Sequence, residues 1–282
     1  MTLYDQVAQE TASIVIRRYS TSFGLASKLL GPAVRQHVEN IYALVRVADE
    51  IVDGSGEAAG LDVLATGQTL NALEAETELA IETGFSANLV VHAFALTARA
   101  TGFGAELTAP FFESMRMDLT ETEHDQESFE RYVYGSAEVV GLMCLRAFLK
   151  DETVDDEAAL VTGARALGAA FQKVNFLRDL KADFDALGRS YFPGVRVDAF
   201  TEADKLRLLD DIDADLAVSA AVLPQLPSSS RRAVALAQSL FAELSRRLRA
   251  TPASTLRTAR VRVPNPVKAR LALAAASGRL PS

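Results

Sequence analysis

The segment RVADEIVD, residues 46–53, sets Asp49 and Asp53 one helical turn apart in apolar surroundings. A second segment, FQKVNFLRDLKADFDALGRSYFP at 171–193, repeats the spacing with Asp179 and Asp183. Residues three, four and seven apart share a helix face. That aligns Tyr42, Arg46, Asp49 and Asp53 in one polar stripe, and Gln172, Asn175, Asp179 and Asp183 in the other. Like charges four apart repel, and an uncompensated buried carboxylate is costly. Positive charge must therefore lie between the pairs, supplied either by Arg46 and Arg178 or by hard divalent cations. Mg²⁺ takes one or two carboxylates together with phosphate oxygens and water. Two facing aspartate pairs would thus bridge Mg²⁺, or Mn²⁺ in its place, to a diphosphate. A diphosphate ester of an allylic alcohol loses its leaving group readily once that charge is neutralised. The cation left behind needs a dry pocket with aromatic walls, and 14 Phe and 6 Tyr could build one. The expected substrates are prenyl diphosphates.

Helices must position these stripes. The chain of 282 residues is 49% hydrophobic, its apolar residues recur at three-and-four spacing, and no stretch alternates as a half-buried strand would. This predicts an all-α, single-domain protein over 1–282, with eight to ten helices around a central apolar cavity. Breaks are expected near 29–32, 53–60, 82–85, 101–110, 120–128, 149–157, 186–194, 223–230 and 262–267, where Gly, Pro and clustered polar residues fall. The opening residues lack the pattern of a leader, no window reaches the roughly 20 uncharged apolar residues of a membrane span, and Cys144 is the single cysteine, in the apolar run VVGLMCLRAFL. A cytoplasmic protein with an inert buried thiol is expected. The net charge of −8 argues against nucleic acid as a partner, although nine Lys or Arg and no acidic residue follow Glu243. That basic tail is either solvated or turned toward an anionic ligand or a membrane surface.

The ordered set YSTSFGLASKLL (19–30), IYALVRVADEIVDG (41–54), FFESMRMDL (111–119), YVYGSAEVVGLM (132–143), GAAFQKVNFLRDLKADFDALGRSYFP (168–193) and RVRVPNPVKARL (260–271) resembles the squalene/phytoene synthases. These trans-isoprenoid head-to-head synthases have an isoprenoid-synthase-type helical bundle, and within the family the sequence looks most like the bacterial, notably actinobacterial, phytoene synthases. The resemblance implies that Asp49, Asp53, Asp179 and Asp183 bind Mg²⁺, with Asn175 and Gln172 beside metal or substrate. Arg46, Arg178, Arg189 and Lys268 would neutralise diphosphate. Tyr19, Ser20, Ser22 and Phe23 would meet the first substrate, and Tyr42, Tyr132 and Tyr191 the reacting carbons. Ser136, Ala137, Val140 and Gly141 would form a small-residue face for a prenyl chain.

The implied reaction joins two geranylgeranyl diphosphates through a cyclopropylcarbinyl diphosphate to phytoene, without NADPH, in carotenoid biosynthesis. The alternative joins two farnesyl diphosphates to dehydrosqualene or squalene. Gly24, Ala26 and Ser27, small residues just after Phe23, favour the deeper pocket and the twenty-carbon donor. Carotenoid-pathway enzymes and a reversible, peripheral membrane contact are the partners this implies. Two departures stand out: Ala182 where many relatives carry glutamate, and GSAEVVG, whose Glu138 is expected to face outward. A di-iron carboxylate bundle would need two Glu-x-x-His motifs; Glu121 with His124 is the single match and is expected in a surface loop. His37 and His92 are expected on a helix surface or as satisfied core residues. A non-catalytic scaffold would be expected to have lost the aspartates, and all four are present.

Overall fold

Helix ends are set by caps in the computed structural model, which describes residues 1–20, 22–187 and 190–279, excepting the side chains of residues 22, 57 and 182–187. Thr2 and Asp5 form a capping box for α1 (Leu3–Tyr19), which α2 (Ser22–Ser27) follows. Gly31 and Pro32 open α3 (Pro32–Asp53), and the single turn α4 (Ser55–Ala58) lies within an expected break. Asp62 caps α5 (Val63–Thr83), which ends at Gly84 with φ 84°, a conformation that favours glycine. Asn88 caps α6 (Leu89–Thr101). The helix α7 (Ala105–Thr120) carries Pro110 in its interior, so the expected break at 101–110 is shorter than the Gly and Pro content suggested. Asp125 caps α8 (Gln126–Val133), which passes through a π-helical turn, Tyr134–Glu138, into α9 (Val139–Leu149). Then come α10 (Glu157–Leu187), α11 (Glu202–Val222), α12 (Ser228–Ala250), α13 (Ala253–Leu256) and α14 (Asn265–Ala276). Ten of these helices have eleven residues or more, and no strand occurs among the described residues.

The helices bury two large apolar clusters. One gathers Leu44, Leu70, Phe94, Phe111, Phe112 and Met143 around α3, α5, α6, α7 and α9; the other gathers Leu177, Leu209, Leu236 and Leu240 around α10, α11 and α12. Each fully buried side chain of this kind contributes about 1.5–3 kcal/mol. The two aspartate-bearing helices thus root in different clusters, α3 in the first and α10 in the second.

The rod from α8 to α9 joins the halves at close range. A Cβ on Gly135 would stand 2.2 Å from the Pro110 carbonyl oxygen of α7, one on Gly141 2.6 Å from that of Ala164, and one on Gly168 2.6 Å from that of Ala137. The missing side chain of Gly141 is therefore filled by the backbone of α10. Gly141 and Ala137 pack helix on helix, Val140 packs against the α3 cluster, and the Ser136 hydroxyl is buried without a hydrogen-bond partner, while all four residues of the expected small-residue face stay partly exposed. The rod, Gln126–Leu149, is by length and composition apolar enough to cross a membrane, although Glu138 and Arg146 interrupt any uncharged run; half of its apolar window is buried inside the protein, as in a core helix.

Candidate active site

On α3 the polar stripe forms as its spacing requires. Tyr42 is partly buried and shares a hydrogen bond with Ser20; burial raises its pKa above the usual phenol value. The Arg46 guanidinium lies 4.5 Å over the Tyr19 ring, pairs with Glu50 and stands 3.9 Å from Asp49. Its Nε is buried without a hydrogen-bond partner. Glu50 also accepts from the Ser55 hydroxyl at 2.6 Å and so closes the end of α3 rather than joining the aspartates.

Asp49 keeps 39% of its side-chain surface accessible, yet burial, reinforced by the charges of Asp53 and Glu50 and opposed by Arg46, raises its carboxyl to about 7. Accessibility combined with strong desolvation describes a group in a concavity. Asp53, one turn on, is exposed.

On α10, Gln172, Asn175 and Asp179 share a partly buried face. Asp179 is held from two sides. Arg178 Nε donates to it at 3.0 Å, and Arg260, from the segment between α13 and α14, donates at 2.6 and 3.0 Å. The Asp183 side chain, Arg189 and the Ser22 side chain lie outside the described residues. Among the described residues no three of His, Cys, Asp and Glu converge as a metal cage. The accessible Asp49 and Asp53 fit a hard cation that takes one or two protein ligands and completes its shell with phosphate oxygens and water, whereas Asp179 is engaged by two guanidinium groups.

Beside the stripes sits an aromatic box. The Tyr132 hydroxyl donates to both oxygens of Asp118 at 2.9 and 3.0 Å, and its side chain, 3% exposed, lies 5.4 Å from Tyr191 between ring centroids. Tyr191 stacks on Phe176 at 3.9 Å. Burial, then the charges of Asp118, Tyr191 and Asp53, hold the Tyr132 phenol protonated. His124 completes the box, 5.1 Å from Tyr132 and parallel to Tyr191 at 6.0 Å. It is only 8% exposed, which corrects the expected surface loop. The cause is a backbone pairing between segments remote in sequence: Ser190 N–H donates to the Thr122 carbonyl at 2.8 Å and folds the acidic connector inward.

At the opposite end of the α3 stripe, Arg17, Ser20, Lys28, Asn265 and Lys268 line a cavity of about 420 Å³. The basic tail thus supplies Lys268 to a hollow already rimmed by two cations. Ser27, expected to leave pocket depth after Phe23, borders a neighbouring hollow with Arg17, Arg35 and Glu39, and its hydroxyl donates to the Gly24 carbonyl at 3.2 Å. The nearby apolar surface is aromatic: Phe23 lies 5.6 Å from Phe171, which stacks on Phe241 at 3.8 Å.

Glu138 has a partner rather than an outward face. Arg165 donates to it at 2.6 Å, and its side chain is 15% exposed. His92 is a satisfied core residue, bonded to Asp5 at 2.9 Å, and His37 pairs with Thr97 at 3.0 Å. Burial pushes the Cys144 thiol up to about 12, in keeping with an inert side chain.

The sequence pattern described as Squalene/phytoene synthase matches residues 16–266, which include both stripes and the aromatic box. The chain belongs to the squalene/phytoene synthase family. It is 30% identical over 256 residues to the phytoene synthase of Pseudescherichia vulneris, covering 83% of this chain and 80% of the relative. It is 28% identical over 254 residues to the 15-cis-phytoene synthase of Paracoccus sp. (strain N81106 / MBIC 01143), covering 85% and 81%. Among solved structures, a dehydrosqualene synthase in complex with ligand superposes with TM-score 0.76 at 22% identity, covering 97% of each chain. The squalene synthase HpnC from Alicyclobacillus acidocaldarius gives TM-score 0.74 at 22% identity, covering 89% of this chain and 98% of its own. The fold is that of these synthases, and the family makes this chain a prenyltransferase-type enzyme of isoprenoid metabolism. Asp118, Arg260, Arg17 and Lys28 escaped the residue-level reading, and the burial of His124 did too; Arg260, Arg17 and Lys28 meet residues far away in sequence, whereas Asp118 and His124 both meet the nearby Tyr132.

Proposed function

We propose that this squalene/phytoene synthase family member condenses two geranylgeranyl diphosphates head to head to phytoene. The observation that carries this reading is the nearness of unlike environments: the carboxylate end of α3 lies near enough to the buried aromatic box for the Asp53 charge to bear on Tyr132. Diphosphate leaving-group chemistry needs the first environment, and a carbocation needs the second. Arg46, with its unpartnered buried Nε–H, and the cations Arg17, Lys28 and Lys268 suit phosphate oxygens. Asp49, Asp53 and Asp179, with Asp183, would hold Mg²⁺ or Mn²⁺, whose Lewis acidity assists departure of the diphosphate.

Loss of diphosphate from the first substrate breaks its C1–O bond and leaves an allylic cation. The C2–C3 double bond of the second substrate attacks that cation, and loss of a proton closes the cyclopropane. The resulting diphosphate ionises in turn, rearranges and loses a second proton to leave the central double bond. Tyr132, Tyr191 and Phe176 exclude water from these cations and offer them π faces. No hydride enters this sequence, so NADPH is not required.

A farnesyl-based reading has support of its own, since one relative, 28% identical over 207 residues, is a 4,4'-diapophytoene synthase of Staphylococcus haemolyticus. The deciding experiment incubates the protein with Mg²⁺ and geranylgeranyl or farnesyl diphosphate separately, with and without NADPH, and identifies the hydrocarbon by mass. A forty-carbon product without NADPH is expected. A thirty-carbon product alone would move the assignment to dehydrosqualene synthesis, or to squalene synthesis if NADPH were needed. We place the enzyme in the cytoplasm, in reversible contact with anionic membrane through its basic tail and beside carotenoid-pathway enzymes that consume its oily product. Protein that stays at the bottom of a liposome flotation gradient, with and without anionic lipid, would count against the membrane contact.

A further inference from the structure

Asp118 is a buried carboxylate in the segment FFESMRMDL, and the metal and diphosphate chemistry above does not use it. We propose that Asp118 is a positioning residue for carbocation stabilisation, acting through Tyr132; this deepens the prenyl-transfer reading and rests on it. The Tyr132 hydroxyl donates to both carboxylate oxygens, at 2.9 and 3.0 Å, with the pair buried between α7 and α8. A hydrogen bond from a neutral phenol to a carboxylate is charge-assisted and fixes the ring's rotation. It also draws the O–H proton toward Asp118 and enriches the ring in electrons, which strengthens its attraction for a cation over its face. Burial sustains the effect, because little water screens the carboxylate.

The neighbouring rings transmit this placement. Tyr132 lies 5.4 Å from Tyr191, which stacks on Phe176 at 3.9 Å, so fixing one ring constrains the other two. His124, 5.1 Å from Tyr132, closes the side nearest the acidic connector. The π-helical turn begins two residues after Tyr132, and its Gly135 lies hard against α7, the helix that carries Asp118. The backbone therefore holds donor and acceptor helices at a fixed separation, so the bond does not depend on side-chain reach.

The test measures steady-state kinetics of Asp118→Asn, Tyr132→Phe and the double variant on the accepted diphosphate. Asn keeps the shape and one acceptor oxygen but removes the charge. We expect Asp118→Asn to lower kcat roughly tenfold or more, with KM within about twofold, as for an interaction that acts at the transition state. The double variant should be no slower than Tyr132→Phe alone, because Asp118 acts through the phenol. Losses of equal size in the wild-type and Tyr132→Phe backgrounds, or a change confined to KM, would overturn the proposal.

A second measurement needs no Asp118 variant. The ultraviolet resonance Raman tyrosine doublet, taken as wild type minus Tyr132→Phe, should be that of a strong hydrogen-bond donor. A spectrum without that donor character would overturn the pairing even if Asp118→Asn failed to fold. A wild-type protein inactive on both diphosphates would overturn the prenyl-transfer reading and the catalytic role together, while the Raman result would still decide the pairing.

Discussion

Asp49 shows how one residue can register its surroundings. Its carboxyl holds a proton to about pH 7 in the folded protein, against 3.8 for the ordinary side chain. Between those values the folded state carries more protons than the unfolded chain, so the contribution to stability is lost as pH rises through the window. Thermal melts with chelator from about pH 5 to pH 8 should therefore show a smaller decline for Asp49→Asn than for wild type. Parallel declines would mean that Asp49 titrates as an ordinary surface acid. At this scale the sequence was informative about Asp49, Asp53 and Asp179, because helical periodicity alone aligns them. It was silent about Arg260, 81 residues from Asp179, and it put His124 in a surface loop because polar neighbours disguise a buried ring. Their placement depends on chain segments meeting in space, and no local pattern encodes that.

Among the elements, the π-helical turn is the one the sequence concealed. Caps such as Asn88 and Thr201, and the glycine at 84, write helix ends into residue types. A π turn differs from an α-helix in hydrogen-bond register, and Tyr-Gly-Ser-Ala-Glu reads as an ordinary small-residue face. Glycine separates the two cases experimentally. Gly135→Ala forces a methyl into the Pro110 carbonyl 2.2 Å away and should cost about 1–3 kcal/mol, seen as a lower Tm. Gly67→Ala, inside α5, meets only a Leu119 methyl at 3.7 Å and should instead stabilise by about 0.4–1 kcal/mol. Melting temperatures that moved in the same direction would mean the close packing of the rod against α7 is not a constraint.

For the whole molecule, the candidate site draws on helices rooted in two apolar clusters, and Arg260 from the C-terminal segment reaches across to one of them. Arg260, half exposed and outside any helix, occupies both oxygens of Asp179 together with Arg178. A cation can reach Asp179 only if one guanidinium withdraws, and Arg260 is the more readily released. Arg260→Gln should therefore tighten Mn²⁺ binding to the substrate-free protein, roughly fivefold or more for one competing charge removed. Electron paramagnetic resonance titration of free Mn²⁺ checks this, and unchanged or weaker binding would show that the pair does not compete. The all-helical plan was legible throughout because its period is local, whereas the meeting of clusters was not, since it depends on which faces the folded chain brings together. The lone thiol gives such experiments an unplanned convenience. Burial that pushes the Cys144 thiol up to about 12 should make it slow toward maleimides at neutral pH, leaving the native chain nearly a cysteine-free background. A reporter cysteine placed at exposed Leu273 or Leu79 would then carry the label alone, without first removing a native residue.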